Sequence, residues 1–233
     1  MDLKAGQVVH ALAGRRCTYR PLHTPWISDA HQPIKLAKAV RERFQWNEWY
    51  VADLDAIEGR GQQHELIQQL VNDGFQLWLD AGIRTMSQVD DLSQRGLSRI
   101  ILASECLQAD ESWQDLDQHP VRDQLVFSLD LFQGQVRTDP ALFPGADWID
   151  IIRKVHLWGI RTIMVLDVAD VGMQGGCSTH NICREIHRLW PELEIVTGGG
   201  IRSTADITAL SEMGVSRVLV STWLHQFATT NVR

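Results

Sequence analysis

The sequence predicts an α/β fold in which eight parallel strands alternate with helices. Eight short apolar stretches recur along the 233 residues, separated by stretches with the spacing of amphipathic helices. Some of them, such as Thr162 to Leu166, are apolar without interruption, which is typical of parallel strands covered on both faces. Several segments also recur in the same order in the two halves of the chain, which indicates a duplication.

The clearest repeat is the pattern Asp-Leu-x-x-Gly-Gln-Val, found at residues 2–8 and again at residues 130–136. Two further pairs of segments match in the same order: 81–85 with 199–203, and 96–102 with 214–220. We therefore expect one domain over residues 1–233, made of half-barrels at about 1–122 and 123–233. Four strands from each half would close into a (β/α)₈ TIM barrel. A doubly wound open sheet is the alternative, but no strand leads into a G-x-G-x-x-G turn.

In the first half, the predicted elements follow the hydrophobic pattern. Strands are predicted at residues 1–4, continuing extended at 7–10, and then at 48–53, 75–79 and 99–103. Helices are predicted at 32–44, 63–72, 87–94 and, more weakly, 111–117, and Gly74 supplies a stop signal after the second.

The second half repeats this order. Its strands are predicted at residues 124–130, 162–167, 194–197 and 217–221, and its helices at 147–158, 181–189, 204–213 and 224–228. Gly159, Pro191 and Gly214 mark helix ends. The first strand lacks the apolar lead-in that residues 125–129 give its counterpart, which is consistent with translation starting upstream of Met1.

Composition excludes several classes of function. A net charge of −7 argues against general nucleic-acid binding, and no apolar run approaches the length of a membrane span. The four cysteines form no C-x-x-C pair and fit no common zinc spacing, so we expect reduced thiols in a cytoplasmic protein without a metal. The expected partner is a small phosphorylated molecule, bound by a monomer or a small homo-oligomer.

Asp2 and Asp130 are the candidate catalytic residues. Active sites of such barrels lie at the C-terminal ends of the strands, where these two positions fall on opposite sides of the mouth. Two carboxylates across one substrate suit acid–base work, one removing a proton and the other delivering one. The alternative is that each aspartate caps its strand or pairs with a neighbouring cation.

Gly198, Gly199 and Gly200 form a candidate phosphate site. Glycines at a strand end allow close approach of the backbone to a ligand, and the free N–H groups of the next helix favour an anion. Ser221 and Thr222, after the eighth strand, would add donors. A plain turn is the alternative.

The equivalent stretch of the first half has lost part of this pattern. Gly82, Arg84 and Ser104 are candidates for a second phosphate site, but Asp80 places a negative charge where donors are needed. Whether this half binds phosphate is left open by the sequence.

Three further residues are candidates for substrate binding. Asp53 and Asp167 end the second and sixth strands, where carboxylates could bind ribose hydroxyls, assist proton transfer or hold a basic side chain. Gly176 belongs to a glycine-rich loop that could fold over a ligand. The long connection at residues 11–29, with Arg15 and Arg16, is either a solvated loop or a cover for an anionic substrate.

At these residues the chain resembles the HisA/HisF family of histidine biosynthesis over nearly its whole length. The motifs that carry the resemblance are Asp-Leu-x-x-Gly-x-Val-Val at 2–9, Val-Ala-Asp-Leu-Asp at 51–55, Gly-Ile-Arg at 82–84, Ser-Leu-Asp at 128–130, Asp167 with Gly172, and Gly-Gly-Gly-Ile at 198–201. The resemblance implies a TIM barrel and a cofactor-independent Amadori rearrangement of an aminoaldose to an aminoketose. It also implies that Asp2 and Asp130 are the catalytic pair and that Gly199, Gly200, Ser221 and Thr222 hold a phosphate.

The chain departs from the family pattern in ways that put the substrate in doubt. Leu166 replaces a threonine, Asp80-Ala81 replaces a glycine pair, Ala103 replaces a glycine, and Ser221 replaces another. We therefore expect a divergent member, an isomerase or related lyase acting on a phosphorylated sugar. The histidine-pathway isomerase itself is the alternative, and an inactive barrel serving as a binding or scaffold subunit is a second.

Overall fold

Eight parallel strands lie in chain order in the computed structural model, which describes residues 1–173 and 175–227, without the side chains of residues 226 and 227. The strands of the barrel are β1 (Asp2–Lys4), β4 (Glu48–Asp53), β5 (Gln76–Asp80), β6 (Arg99–Ala103), β7 (Leu125–Phe132), β9 (Thr162–Asp167), β10 (Glu194–Gly198) and β11 (Arg217–Leu219). Short strands β2 (Gln7–His10), β3 (Arg20–Pro21) and β8 (Gln135–Val136) add antiparallel pairs at the edges.

Helices follow the strands around the outside of the sheet. They are α1 (Pro33–Phe44), α2 (Leu54–Ile57), α3 (His64–Asn72), α4 (Met86–Ser93), α5 (Trp148–Leu157), α6 (His180–Leu189), α7 (Thr204–Glu212) and α8 (Thr222–Phe227). Between β6 and β7 the chain forms the 3-10 helices Glu111–Gln118 and Arg122–Gln124. No described helix has the length and apolar character needed to cross a membrane.

The predicted (β/α)₈ order is confirmed, and the sheet curls from β11 through β1 in the expected sequence. Within the described residues, β11 and β1 share no strand ladder, and the side-chain contacts near this gap run from β11 to β4 and from α8 to β2. The Arg217 guanidinium donates to Glu48 Oε2 at 2.7 Å, and the Thr222 hydroxyl lies 3.4 Å from His10 Nε2.

The repeated Asp-Leu-x-x-Gly-Gln-Val motif forms the same tight hairpin in both halves. The turn between β1 and β2 has φ values of 49° and 77° at Ala5 and Gly6, and the turn between β7 and β8 has 53° and 77° at Gln133 and Gly134. Two successive positive φ angles define the hairpin turn that suits twisted antiparallel strands. The duplication therefore extends to backbone conformation.

Element boundaries differ from the sequence expectation where side chains or pairing intervene. Helix α2 was not predicted; it starts directly after β4 because the Asp53 carboxylate accepts the Ala56 N–H at 3.2 Å and caps it. The predicted α-helix at 111–117 is a 3-10 helix, and β7 extends to Phe132 through its pairing with β8. The expected end of the last helix at Ala228 lies outside the described residues.

The apolar core has two parts. Most of it lies between the outer face of the sheet and the helices. A smaller cluster on the inner face fills the barrel below the mouth: Trp78, Ile101, Val126, Met164, Leu166 and Val196. Side chains alternate along a strand, so Asp80 and Asp130 share the inner face with Trp78 and Val126. Both aspartates lie between this apolar cluster and the mouth of the barrel.

Candidate active site

A cavity of about 810 Å³ extends from the C-terminal ends of the strands, where the sequence predicts the site, to the start of β4 at Asn47 and Glu48. Of the predicted residues, it brings together Asp2, Asp130, Gly199, Gly200, Ser221 and Thr222. It does not include Gly198, Gly82, Arg84, Ser104, Asp53, Asp167 or Gly176 among its lining residues.

Asp130 is buried and fixed in place by hydrogen bonds. Its carboxylate accepts the Ser128 hydroxyl at 2.7 Å and the Glu105 N–H at 3.3 Å, and the Ser104 hydroxyl oxygen lies 3.4 Å away. Burial, reinforced by the Glu105 charge and then by Asp80, raises the pKa of Asp130 to about 7, although the Ser128 hydrogen bond opposes the shift. A carboxyl group in this state can hold or release a proton near neutral pH.

Asp2 faces the same cavity in a different environment. Its carboxylate makes no side-chain hydrogen bond with the described residues, and burial raises its pKa. The N-terminal ammonium of Met1, the Arg16 guanidinium and His10 act against this shift because they stabilise the ionised form. The two aspartates are therefore equivalent in the repeat but not in their electrostatics.

The raised pKa of Asp130 predicts a pH-dependent stability. Its carboxyl stays protonated in the folded chain up to about pH 7 but ionises near 3.8 when unfolded. The wild type should therefore lose stability relative to Asp130→Asn as pH rises from 4 to 7. Urea unfolding of both proteins across this range measures the difference, and a constant difference would show that Asp130 titrates normally.

The glycine stretch after β10 forms a cradle of backbone N–H groups. Gly199 and Gly200 have φ values of 85° and 70°, and within the described chain no acceptor takes the N–H of either residue, or of Ser221 or Thr222. A Cβ on Gly200 would lie 2.1 Å from the Gly176 carbonyl oxygen. Gly176 thus packs behind the cradle.

Gly198 lies in β10, where it has a packing role. A Cβ at this position would come within 2.7 Å of Leu219 Cβ on the neighbouring strand. The glycine lets β10 and β11 approach each other, which brings Ser221 close to the cradle in the same cavity.

In the first half, the groups that could bind a phosphate already make hydrogen bonds within the protein. The Gly82 N–H donates to Asp80 Oδ1 at 3.0 Å, and the Ser104 hydroxyl donates to the Arg137 carbonyl at 2.8 Å. The Arg84 guanidinium turns onto the backbone, donating to the Gly82 and Ile57 carbonyls at 2.8 and 2.9 Å. These contacts argue against Gly82, Arg84 and Ser104 as phosphate ligands.

Asp53 and Asp167 lie on the other face of the sheet from the cavity. Strand register places Asp167 beside Leu131 and Asp53 beside Leu3, one residue past the positions of Asp130 and Asp2. Both carboxylates are almost fully buried, with 1% and 2% of the residue exposed. From this position the two carboxylates can anchor the loops that follow the strands, but they do not face the substrate cavity.

A family model described as histidine biosynthesis protein matches residues 1–230. The chain belongs to the histidine biosynthesis protein family. Among its relatives, an uncharacterized protein of Methanocaldococcus jannaschii is 26% identical over 228 residues, covering 97% of this chain and 91% of the relative.

Other relatives of this family member have names that state an activity. Proteins of Deinococcus radiodurans and Legionella pneumophila (strain Corby) are both named 1-(5-phosphoribosyl)-5-((5-phosphoribosylamino)methylideneamino)imidazole-4-carboxamide isomerase. The first is 26% identical over 179 residues, covering 76% of this chain and 74% of the relative. The second is 25% identical over 235 residues, covering 97% and 93%.

Asp167 should contribute to stability in this family member. It accepts the N–H groups of Gln133, Gly134 and Ala169 at 3.0, 2.7 and 3.0 Å, and so ties the hairpin after β7 to β9. Asp167→Ala should lower the free energy of unfolding by roughly 3 kcal/mol, because buried N–H donors lose a charged acceptor. Urea unfolding checks this. A variant of wild-type stability that no longer binds phosphorylated ligands would instead indicate a contact with substrate.

The cavity wall also contains Arg16 of the basic connection, together with Tyr50, Glu105 and Arg137, which were not among the residues singled out from the sequence. Arg16 pairs with Glu105, Arg137 lies 3.4 Å from the same carboxylate, and the Tyr50 hydroxyl donates to Asp80 Oδ2 at 3.3 Å. The basic cluster around Arg16 was a usable signal. Tyr50 lies inside an apolar strand and Glu105 lies in a loop, and neither had a sequence signal that marked it as functional.

Loop 1, residues 11–19, is held over the mouth of the barrel. The Ala13 N–H donates to the Val171 carbonyl at 2.7 Å, and Lys4 Nζ donates to the Arg16 carbonyl at 2.9 Å. Within the described chain no cluster of His, Cys, Asp and Glu side chains has the arrangement of a metal site.

Proposed function

We propose that this chain is an aldose–ketose isomerase that converts a phosphorylated aminoaldose to an aminoketose, with Asp2 and Asp130 as its acid–base pair. The observation that carries the proposal is the meeting of both aspartates with a cradle of unused N–H groups in one cavity. The rearrangement moves hydrogen within one molecule, so no redox cofactor is required.

The two aspartates are assigned different roles in this proposal. Asp130, with a pKa of about 7, can deliver a proton to the ring oxygen and open the sugar ring. Asp2 takes the complementary role of the base that removes the proton from C2 of the open form; burial raises its pKa, and the charges of Met1, Arg16 and His10 oppose that shift. Protonation at C1 and loss of the proton from the 2-hydroxyl then give the ketose.

The cradle supplies binding and orientation. Free backbone N–H groups and the start of helix α7 favour a phosphate at Gly199 and Gly200, with Ser221 and Thr222 adding donors. A phosphate fixed there would hold the sugar carbons between the two carboxylates. Positioning of this kind supplies much of the barrier reduction in such reactions.

The histidine-pathway isomerase is a second candidate, favoured by the printed names of the relatives. Expression in a histidine auxotroph that lacks this isomerase separates the two. Growth without histidine would support the second candidate, whereas soluble protein without growth would leave an isomerase with another substrate.

A direct assay tests the proposal itself. Purified protein would be incubated with N-substituted glycosylamine phosphates, and ketose formation followed by NMR. We expect conversion by the wild type, and conversion slower by roughly 10²-fold or more by Asp2→Asn. A folded protein that binds no sugar phosphate but retains a stable protein partner would favour the scaffold role instead.

A further inference from the structure

We propose that the substrate carries a single phosphate, bound by the second half of the barrel, and that Asp80 excludes another phosphate from the first half. This inference rests on the proposed isomerase function and narrows its substrate class to monophosphates. It assigns Asp80 a role in specificity.

The internal repeat allows the two halves to be compared position by position. The match of 81–85 with 199–203 places Gly82 opposite Gly200 and Asp80 opposite Gly198. Gly82 and Gly200 have similar φ values of 63° and 70°, so the backbone turn is retained in both halves. The halves differ in what the turn binds.

The N–H groups of the turn in the second half are available to a ligand. The N–H of the matching turn in the first half is already hydrogen-bonded within the protein. The Gly200 N–H has no acceptor within the described chain, whereas the Gly82 N–H donates to the Asp80 carboxylate. The Asp80 side chain thus occupies, from within the protein, the place that an anion would take. Its residue is only 7% exposed and its other carboxylate oxygen accepts the Tyr50 hydroxyl.

Charge on this side of the mouth also opposes a phosphate. Asp80 and Glu105 both line the cavity; Glu105 is paired with Arg16 and Arg137, so Asp80 is the carboxylate that a phosphate dianion there would face. The nearby arginines are engaged: Arg84 binds backbone carbonyls, and both Arg16 and Arg137 pair with Glu105. This end of the cavity therefore suits an uncharged or cationic group, such as a hydroxyl or an amine.

Phosphate stoichiometry tests the inference. Isothermal titration with inorganic phosphate should give one site per wild-type chain, and none in Gly200→Ala. Ribulose bisphosphate should bind no tighter than ribulose monophosphate. In Asp80→Gly, which frees the Gly82 N–H, the bisphosphate should gain affinity by roughly tenfold, the effect of one modest new contact.

Asp80→Asn is the matched variant, because it keeps the size and the acceptor of Asp80 but removes the charge. It should bind the bisphosphate more tightly than the wild type and less tightly than Asp80→Gly. Two phosphate sites in the wild type, or a wild-type preference of tenfold or more for the bisphosphate, would overturn the inference and leave the isomerase proposal intact. No phosphate binding by the folded wild type would overturn both.

Discussion

Asp130→Asn should lower kcat by roughly 10²- to 10⁴-fold, the range that general acid–base catalysis contributes. The asparagine amide cannot deliver a proton, yet it preserves the size of the side chain and can still accept the Ser128 hydroxyl. The fold should therefore remain intact. Steady-state kinetics on the glycosylamine phosphate that the wild type converts, with circular dichroism to check folding, measures the effect.

The control for Asp130→Asn is Asp91→Asn, a change of the same chemistry at an exposed position of α4. It should leave kcat unchanged. Full activity in a folded Asp130→Asn protein would remove this residue from the mechanism. An equal loss of kcat in Asp91→Asn would show that the loss comes from the protein preparation and not from the change at Asp130.

Gly200→Ala should weaken binding of a sugar monophosphate by roughly 10²-fold, because the loss of a hydrogen bond to a charged group costs about 1.5–3 kcal/mol. The added Cβ would lie 2.1 Å from the Gly176 carbonyl oxygen, so the turn or the Gly176 loop must shift. The φ of 70° at this position is also strained for alanine. Titration calorimetry gives the change in Kd.

Gly175→Ala is the matched control in the same region. Its Cβ would meet no atom within 4 Å, and its φ is not in the left-handed region. Binding should therefore stay near the wild-type value. If Gly200→Ala bound the monophosphate as tightly as Gly175→Ala does, the phosphate cradle would have to be placed elsewhere.

The fold was predictable because its signals are local and repeated. The eight apolar strands lie within a few residues of their expected bounds, and the Asp-Leu-x-x-Gly-Gln-Val repeat correctly placed Asp2 and Asp130 in one cavity. The boundaries that failed depend on contacts between distant segments. The extension of β7 to Phe132 needs β8 as its partner, and helix α2 needs its cap from Asp53.

The orientation of strand-end residues could not be obtained from sequence. Asp167 and Leu166 are adjacent, and a shift of one residue in strand register exchanges which of them faces the mouth. The observed register pairs Leu166 with Asp130, which leaves Asp167 on the outer face. Asp53 follows the same rule, since Ala52 pairs with Asp2.

Whether the first half can bind a phosphate depends on side-chain conformations, which a sequence pattern does not determine. The sequence showed Asp80 in an unfavourable place for a phosphate, but not that its carboxylate accepts the Gly82 N–H. Nor did it show that Arg84 turns onto the backbone instead of into the cavity.

Proton NMR of the reaction in D₂O tests the central claim most directly. The purified wild type would be incubated with an N-substituted glycosylamine monophosphate, and the C1 and C2 signals followed. We predict loss of the C2 proton and formation of a ketose carrying deuterium at C1, with both changes slower by roughly 10²-fold or more in Asp2→Asn and Asp130→Asn. A folded wild-type protein that binds the monophosphate but leaves its C2 proton in place would contradict the assignment of this chain as an isomerase.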